Sequence, residues 1–291
     1  MCVNIRLSGR CQLPSVAAGD PGCQSVAHRE GNVCGMASIF VTGSSDGIGR
    51  QTARQLVGDG HRVVLHARDD TRAKDAAAAV PGAAGVAVGD LSVIDGIRQT
   101  ADSASAHGPF DVVIHNAGVG SAPARHPTAD SLERIFAVNV LGPYLLTALM
   151  PLPARLVYLT SGLESSGRVN LADLQWERRP WNGFQAYSDS KLYDVLLAFA
   201  VARRYPRLRS NAVDPGWIKT KLGGPGATDE LPIGADTQVW LATSDTPAAL
   251  VTGRYFKWRK DLRANPAAYD TDQQEALVAA CASLTGTQLP G

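Results

Sequence analysis

Beginning at Ser38, short runs of β-branched and aliphatic residues alternate with longer stretches whose apolar positions recur at helical spacing. The first pattern reads as strand and the second as amphipathic helix. SIFVT (38–42) predicts a first strand, followed by a helix to about Asp59, then RVVLH (62–66) and an Ala-rich helix. GVAVG (85–89), FDVVIH (110–115), ARLVYLT (154–160), SNAVD (210–214) and GRYFK (253–257) predict five more strands. Near-continuous apolar runs belong to strands covered on both faces. The expected fold is therefore α/β: one doubly wound domain over residues 37–291, with a seven-stranded, mostly parallel sheet flanked by helices. No solenoid repeat or linker divides this body, and GGPGATDELP (223–232) reads as a loop before a short helix, placed to cover a substrate.

Residues 1–36 show neither periodicity and read as a flexible N-terminal extension outside the fold, with Met36 as an alternative start. Four of the five cysteines, Cys2, Cys11, Cys23 and Cys34, fall in that stretch, and Cys281 alone lies in the body. Their spacing matches no paired zinc-ligand pattern, so a plain extension is preferred over a redox or metal-binding appendage. The six histidines show no ligand spacing either, and no metal site is expected. A net charge of +1 with scattered arginines gives no footprint for nucleic acid or an anionic membrane. No stretch reaches the ~18 apolar residues of a membrane span, and the N-terminus carries no secretory apolar segment, so a cytoplasmic location is expected.

Chemistry first shows at the end of the first strand, where Gly43-Ser44-Ser45-Asp46-Gly47-Ile48-Gly49 opens a helix. Glycines at a strand-to-helix turn let backbone approach a pyrophosphate, and the helix N-terminus supplies unpaired N–H groups. The placement predicts a Rossmann-type dinucleotide site, although the spacing is G-x-x-x-G-x-G. At the end of the second strand, Arg68 occupies the position facing the adenosine ribose, where an arginine pairs with a 2′-phosphate and an acid would favour the free hydroxyl. NADP is therefore expected, with NAD as the lesser alternative; Asp46 within the loop counts against it. Asp90 and Leu91 follow the third strand at the adenine position, and Asn116, Ala117 and Gly118 follow the fourth, near the nicotinamide ribose.

Tyr187 and Lys191 stand four residues apart at the start of a long amphipathic segment, on one helix face. A neighbouring ammonium favours the phenolate of a tyrosine and makes it a usable proton donor and acceptor. Alone, such a pair is ordinary helix surface. In company it is more: TGSSDGIG (42–49), HNAG (115–118), Asn139 in FAVNVLG, Ser161 after the fifth strand, YSDSK (187–191) and DPG (214–216) occur in one order. The chain resembles the short-chain dehydrogenase/reductase family over most of residues 37–260, and DLQWERRPWNGFQAYSDSKL is similar to its retinol-dehydrogenase-like and polyketide-ketoreductase-like subgroup.

That resemblance implies roles. Tyr187 exchanges a proton with the substrate oxygen, Ser161 hydrogen-bonds that oxygen, Lys191 tunes the tyrosine and holds the nicotinamide ribose, and Asn139 anchors a water that relays protons. Pro215, Gly216, Ile218 and Thr220 match positions beside the nicotinamide. Two departures stand out: His115 replaces the first asparagine of the usual NNAG, and the interval from Ser161 to Tyr187 is long. Ser165 and Ser166 compete for the serine role, but Ser161 directly follows the strand. Trp176, Trp181 and Trp217, with loop 223–232, are candidates for an apolar substrate wall. The expected activity is NADP-dependent reduction of a ketone or aldehyde, or oxidation of the corresponding alcohol. The alternatives are an NAD-dependent alcohol dehydrogenase and a non-catalytic dinucleotide-binding redox sensor. The partner is a small molecule, and the resemblance allows a homo-oligomer.

Overall fold

The computed structural model describes residues 35–291, so residues 1–34 of the expected extension, with Cys2, Cys11, Cys23 and Cys34, lie outside the described residues. The strands are β1 (Ser38–Val41), β2 (Arg62–Ala67), β3 (Gly85–Val88), β4 (Val112–His115), β5 (Arg155–Leu159), β6 (Arg209–Asp214), β7 (Tyr255–Lys257) and β8 (Lys260–Leu262). They form one sheet in the order β3-β2-β1-β4-β5-β6-β7-β8, parallel throughout except for the β7–β8 pair. From β1 the chain winds outward to β3, then returns to place β4 on the other side of β1. That reversal leaves a crevice at the carboxyl ends of β1 and β4, where ligands bind in open α/β sheets.

The sheet is buried on both faces because its side chains alternate between two apolar layers. Phe40, Val64, Val113, Leu156 and Tyr158 face one layer, closed by α3 (Ile94–Ser105), α5 (Gly142–Leu149), α6 (Gly183–Arg204) and α8 (Thr271–Thr285). Ile39, Val41, Leu65, Ile114 and Val157 face the other, closed by α1 (Gly47–Gly58), α2 (Asp70–Ala79) and α7 (Leu231–Thr243). A three-residue α4 (Arg134–Phe136) runs through a π turn, Ala137–Leu141, into α5.

The sheet has eight strands where the apolar pattern predicts seven. The extra one, β8, is three exposed residues, Lys-Asp-Leu, with no buried face to leave a mark in the sequence. It pairs Lys257 with Lys260 across a two-residue turn of Trp258 and Arg259, at φ 52° and 59°. Positive φ at both positions is the tight hairpin geometry ordinarily signalled by Asn-Gly. The segment after β6 also differs from the expectation: the loop ends at Glu230, and Leu231-Pro232 form the first turn of a 13-residue α7. Proline suits that turn because its missing N–H would have no helical partner there.

Candidate active site

The glycine loop between β1 and α1 is held from two sides. Asn116, at the end of β4, donates its amide N–H to the carbonyls of Thr42 (2.8 Å) and Gly43 (3.2 Å). Thr42 Oγ1 accepts from the backbone N–H groups of Asn116 and Ala117. From β2, the buried His66 accepts from Gly43 N at Nδ1 (2.9 Å) and faces Gly89 O at Nε2 (2.9 Å). With Nδ1 accepting, Nε2 carries the proton and donates, so the ring is neutral. Burial lowers its pKa, against smaller opposing effects of Gly89 and Asp90. His66 thus clamps the phosphate loop to the end of β3.

These restraints explain the glycines. Gly43 has φ +62°, and a Cβ there would lie 2.7 Å from Ala117 Cα. A Cβ on Gly49 would overlap the Asn116 amide and the Gly43 carbonyl. The backbone is drawn in tightly enough to leave an open cradle in front of it, with the α1 N–H groups at its rim. Asp46 caps α1 by accepting from Gly47 N at 2.8 Å. Its carboxyl sits below the usual range, chiefly through the Lys221 ammonium (2.9 Å), with Gly47 N–H and Arg50 (3.4 Å) adding to it against burial. The acid that counted against a phosphate-bearing ligand therefore comes with two cations.

A cavity of about 690 Å³ runs from this cradle along the strand ends. Its walls include Gly43, Ser45, Asp46, Gly47, Ile48 and Gly49, then Arg68, Asp90 and Leu91, then Asn116, Ala117 and Gly118. Ser161, Tyr187, Lys191, Pro215, Gly216, Ile218 and Thr220 line it as well. Among the candidate catalytic and cofactor-binding residues, Asn139 alone stays off the wall. It sits one layer behind, buried in the π turn, its Oδ1 accepting from Val119 N (2.8 Å) and its Nδ2 donating to Val119 O and Ser190 Oγ. Both amide protons are engaged. A water held at this position can meet Asn139 only at its backbone or at the second lone pair of Oδ1.

Arg68 is exposed, 3.2 Å from Asp69, and Asp69 also caps α2 by accepting from Arg72 N. Arg72, missed by sequence reasoning, joins Arg68 on the cavity wall and gives that end two guanidinium groups. Ser161 begins a turn of 3₁₀ helix, its Oγ accepting from Leu163 N. Ser165 and Ser166 do not line the cavity. Lys191 is buried, with Nζ donating to Leu159 O (2.9 Å) and Asp194 Oδ2 (2.8 Å), and it lies 5.8 Å from the centre of the Tyr187 ring. Burial works against its charge, yet Asp194 and Tyr187 outweigh burial and hold the ammonium above the usual lysine range.

The expected tryptophan wall is only partly present. Trp217 lines the cavity, but Trp176 and Trp181 pack edge-to-face against each other, with Ile135 and Ala186, away from it. The long interval before Tyr187 closes this cluster on itself, with Arg179 stacked 3.4 Å over Trp176. The exposed apolar side chains at the mouth are Phe184, Trp217 and Leu222 instead. Phe184 and Leu222 carried no sequence signal, because single apolar residues in a loop or first helical turn look like any surface position. Among the described residues no cluster of His, Cys, Asp and Glu could hold a metal ion, and no helix is long and apolar enough to cross a membrane.

An open α/β sheet with a glycine cradle, a basic end and a tyrosine-lysine pair defines a dinucleotide-dependent oxidoreductase. The family profile of short chain dehydrogenases matches residues 37–230, and the chain belongs to that family. It is 43% identical over 260 residues to a short-chain dehydrogenase, chry4, of Gibberella zeae, covering 88% of this chain and 99% of that one. It is 31% identical over 285 residues to human retinol dehydrogenase 13, covering 87% and 86%. An uncharacterised protein of Mycobacterium paratuberculosis superposes with TM-score 0.78 at 30% identity, over 90% and 98% of the two chains. A metagenomic blue fluorescent protein, solved in complex with NADPH, superposes with TM-score 0.60 at 26% identity, over 76% and 95%. The chain is thus an NAD(P)-dependent oxidoreductase of the retinol-dehydrogenase-like subgroup.

Proposed function

We propose that the protein is an NADPH-dependent reductase of ketones or aldehydes, able to run in reverse on the alcohol. One observation carries the reading: Ser161, Tyr187 and Lys191 line the same cavity as the glycine cradle, Arg68 and Arg72. The cradle and the N-terminus of α1 hold a pyrophosphate, and Asp90 and Leu91 flank the adenine. Arg68 with Arg72 supports a 2′-phosphate, since two guanidinium groups suit a dianion better than a free hydroxyl. When bound, the nicotinamide supplies a hydride.

The protein's own residues do the rest. Tyr187 gives a proton to the carbonyl oxygen, and Ser161 donates a hydrogen bond to the same oxygen as negative charge builds on it. Lys191 keeps a positive charge beside the phenol, so that the tyrosine recovers from either protonation state. Asn139 fixes Val119 and, through Ser190, the helix that carries Tyr187. Phe184, Trp217 and Leu222 give the substrate an apolar mouth, and NADPH bound to the blue fluorescent protein of the same fold agrees with the cofactor.

The test is a panel of aromatic and aliphatic ketones and aldehydes offered with NADPH or NADH. The proposal expects loss of reduced-nicotinamide absorbance with at least one carbonyl, faster with NADPH. Turnover with NADH alone would transfer the reading to the NAD-dependent dehydrogenase. Tight cofactor binding with no turnover on any carbonyl or alcohol would favour the redox sensor.

A further inference from the structure

Asp194 belongs to none of the roles assigned so far, yet it is the residue closest to the catalytic ammonium. It lies three residues beyond Lys191 and seven beyond Tyr187 on α6, which stacks all three on one helix face. Its carboxylate is buried, 2.8 Å from Lys191 Nζ. A lysine ammonium has three N–H donors. Asp194 takes one and Leu159 O, at the end of β5, takes a second at 2.9 Å. The third is left for the side where Tyr187 and Gly118 lie, and a Cβ on Gly118 would come within 3.5 Å of Nζ.

We propose that Asp194 is a positioning residue for the reaction: the counter-ion that keeps Lys191 charged in a dry site and turns its one unclaimed N–H toward Tyr187 and the cofactor. An isolated buried ammonium sheds its proton, and a neutral amine neither stabilises a phenolate nor holds a ribose as strongly. The pair as a whole is neutral, so the charge survives burial. Removing one partner leaves the other uncompensated.

Two titratable groups face the Asp194 carboxylate: Lys191 from its own helix and Tyr158 from β5. The Tyr158 phenol is kept protonated by burial first, with Asp194 adding to the effect against the hydrogen bond it shares with Thr147. Burial pushes the Asp194 carboxyl up to about 6 although Lys191 pulls it down. The pair is therefore ionised at neutral pH and loses its anion on mild acidification.

This inference rests on the proposed reductase chemistry, and its test separates the two. Lysine and aspartate are labelled with ¹³C, and Lys191 and Asp194 are titrated by NMR in the full chain, the lysine assigned by its loss in Lys191→Met. In the unaltered protein Lys191 should titrate above the other lysines and Asp194 well above an ordinary aspartate. In Asp194→Asn, which keeps shape without charge, Lys191 should titrate lower by about one to three pH units. An unchanged Lys191 in that variant, or a Lys191 that titrates below the other lysines in the unaltered protein, would overturn the proposal. The titration in the unaltered protein decides the matter even where the variant does not fold.

With an active carbonyl in hand, Asp194→Asn should move the alkaline limb of the kcat/KM profile down by the same interval, and Asp194→Glu should restore part of it. A variant with lowered activity but an unmoved profile would mark a merely structural pair and reject the proposal. If no carbonyl is reduced at all, the reductase reading falls while the NMR result still stands.

Discussion

His66→Leu tests whether the phosphate cradle is held by the hydrogen bonds that surround it or by packing alone. Leucine nearly matches the volume of the imidazole and keeps the contact with Phe40, whose ring centre lies 6.5 Å from that of His66. It removes the acceptor for Gly43 N–H and the donor for Gly89 O, both at 2.9 Å. Gly89 is buried, so its carbonyl bears most of the desolvation penalty, whereas Gly43 N–H lies nearer the cavity and can meet water. An orphaned buried polar group costs about 1–3 kcal/mol, so the variant should lose roughly 2–3 kcal/mol of folding stability. The loop that loses its anchor is the pyrophosphate cradle, so NADPH affinity should fall about tenfold or more, the equivalent of about 1.4 kcal/mol. Urea unfolding followed by circular dichroism gives the first quantity, and enhancement of reduced-nicotinamide fluorescence gives the second. A variant with unaltered midpoint and unaltered NADPH affinity would refute the clamp. Lost stability with full affinity would show that His66 supports the sheet and not the loop.

Two other predictions follow from single residues. Burial lowers the His115 pKa to about 3, with Nε2 3.1 Å from Thr147 Oγ1 and Nδ1 unpartnered. The folded state thus favours neutral His115, whose contribution is present above pH 6.5 and lost as pH falls toward 3, by at most roughly 4–5 kcal/mol. Urea titrations across that window should show the loss, and His115→Asn should flatten its slope; an unchanged slope would contradict it. Arg68→Ala should lower the preference for NADPH over NADH about tenfold in Kd, with Arg72 retaining the remainder; an unchanged ratio would remove Arg68 from the 2′-phosphate site.

Much of the architecture was legible because it is local. Most of the first seven strands carry near-continuous apolar runs, and their alternation with helices marks a mostly parallel sheet. β8 was not legible, because three exposed residues beyond a Trp-Arg turn present neither a hydrophobic face nor a turn signature. At the site, the glycines and the Tyr187-Lys191 pair could be read since their chemistry depends on spacing along one element. His66 could not be assigned: it ends the RVVLH run, but its partners Gly43 and Gly89 come from two other strand ends. Asp194 does sit at helical spacing from Tyr187 and Lys191. Sequence alone does not tell whether that helix face is dry, and burial is what turns an ordinary i, i+3 pair into a counter-ion. Trp176 and Trp181 failed for the opposite reason: aromatic residues mark burial, and here they bury each other.

The central claim is that Tyr187 moves a proton at the substrate oxygen without being needed to seat the cofactor. Tyr187→Phe removes one hydroxyl and preserves the ring beside Lys191. NADPH binding and carbonyl reduction are to be measured on the same preparation. The account predicts affinity within about threefold of the unaltered protein and a kcat lower by about 10²–10⁴, the range that general acid catalysis supplies. Reduction at the original rate with NADPH still bound would contradict it.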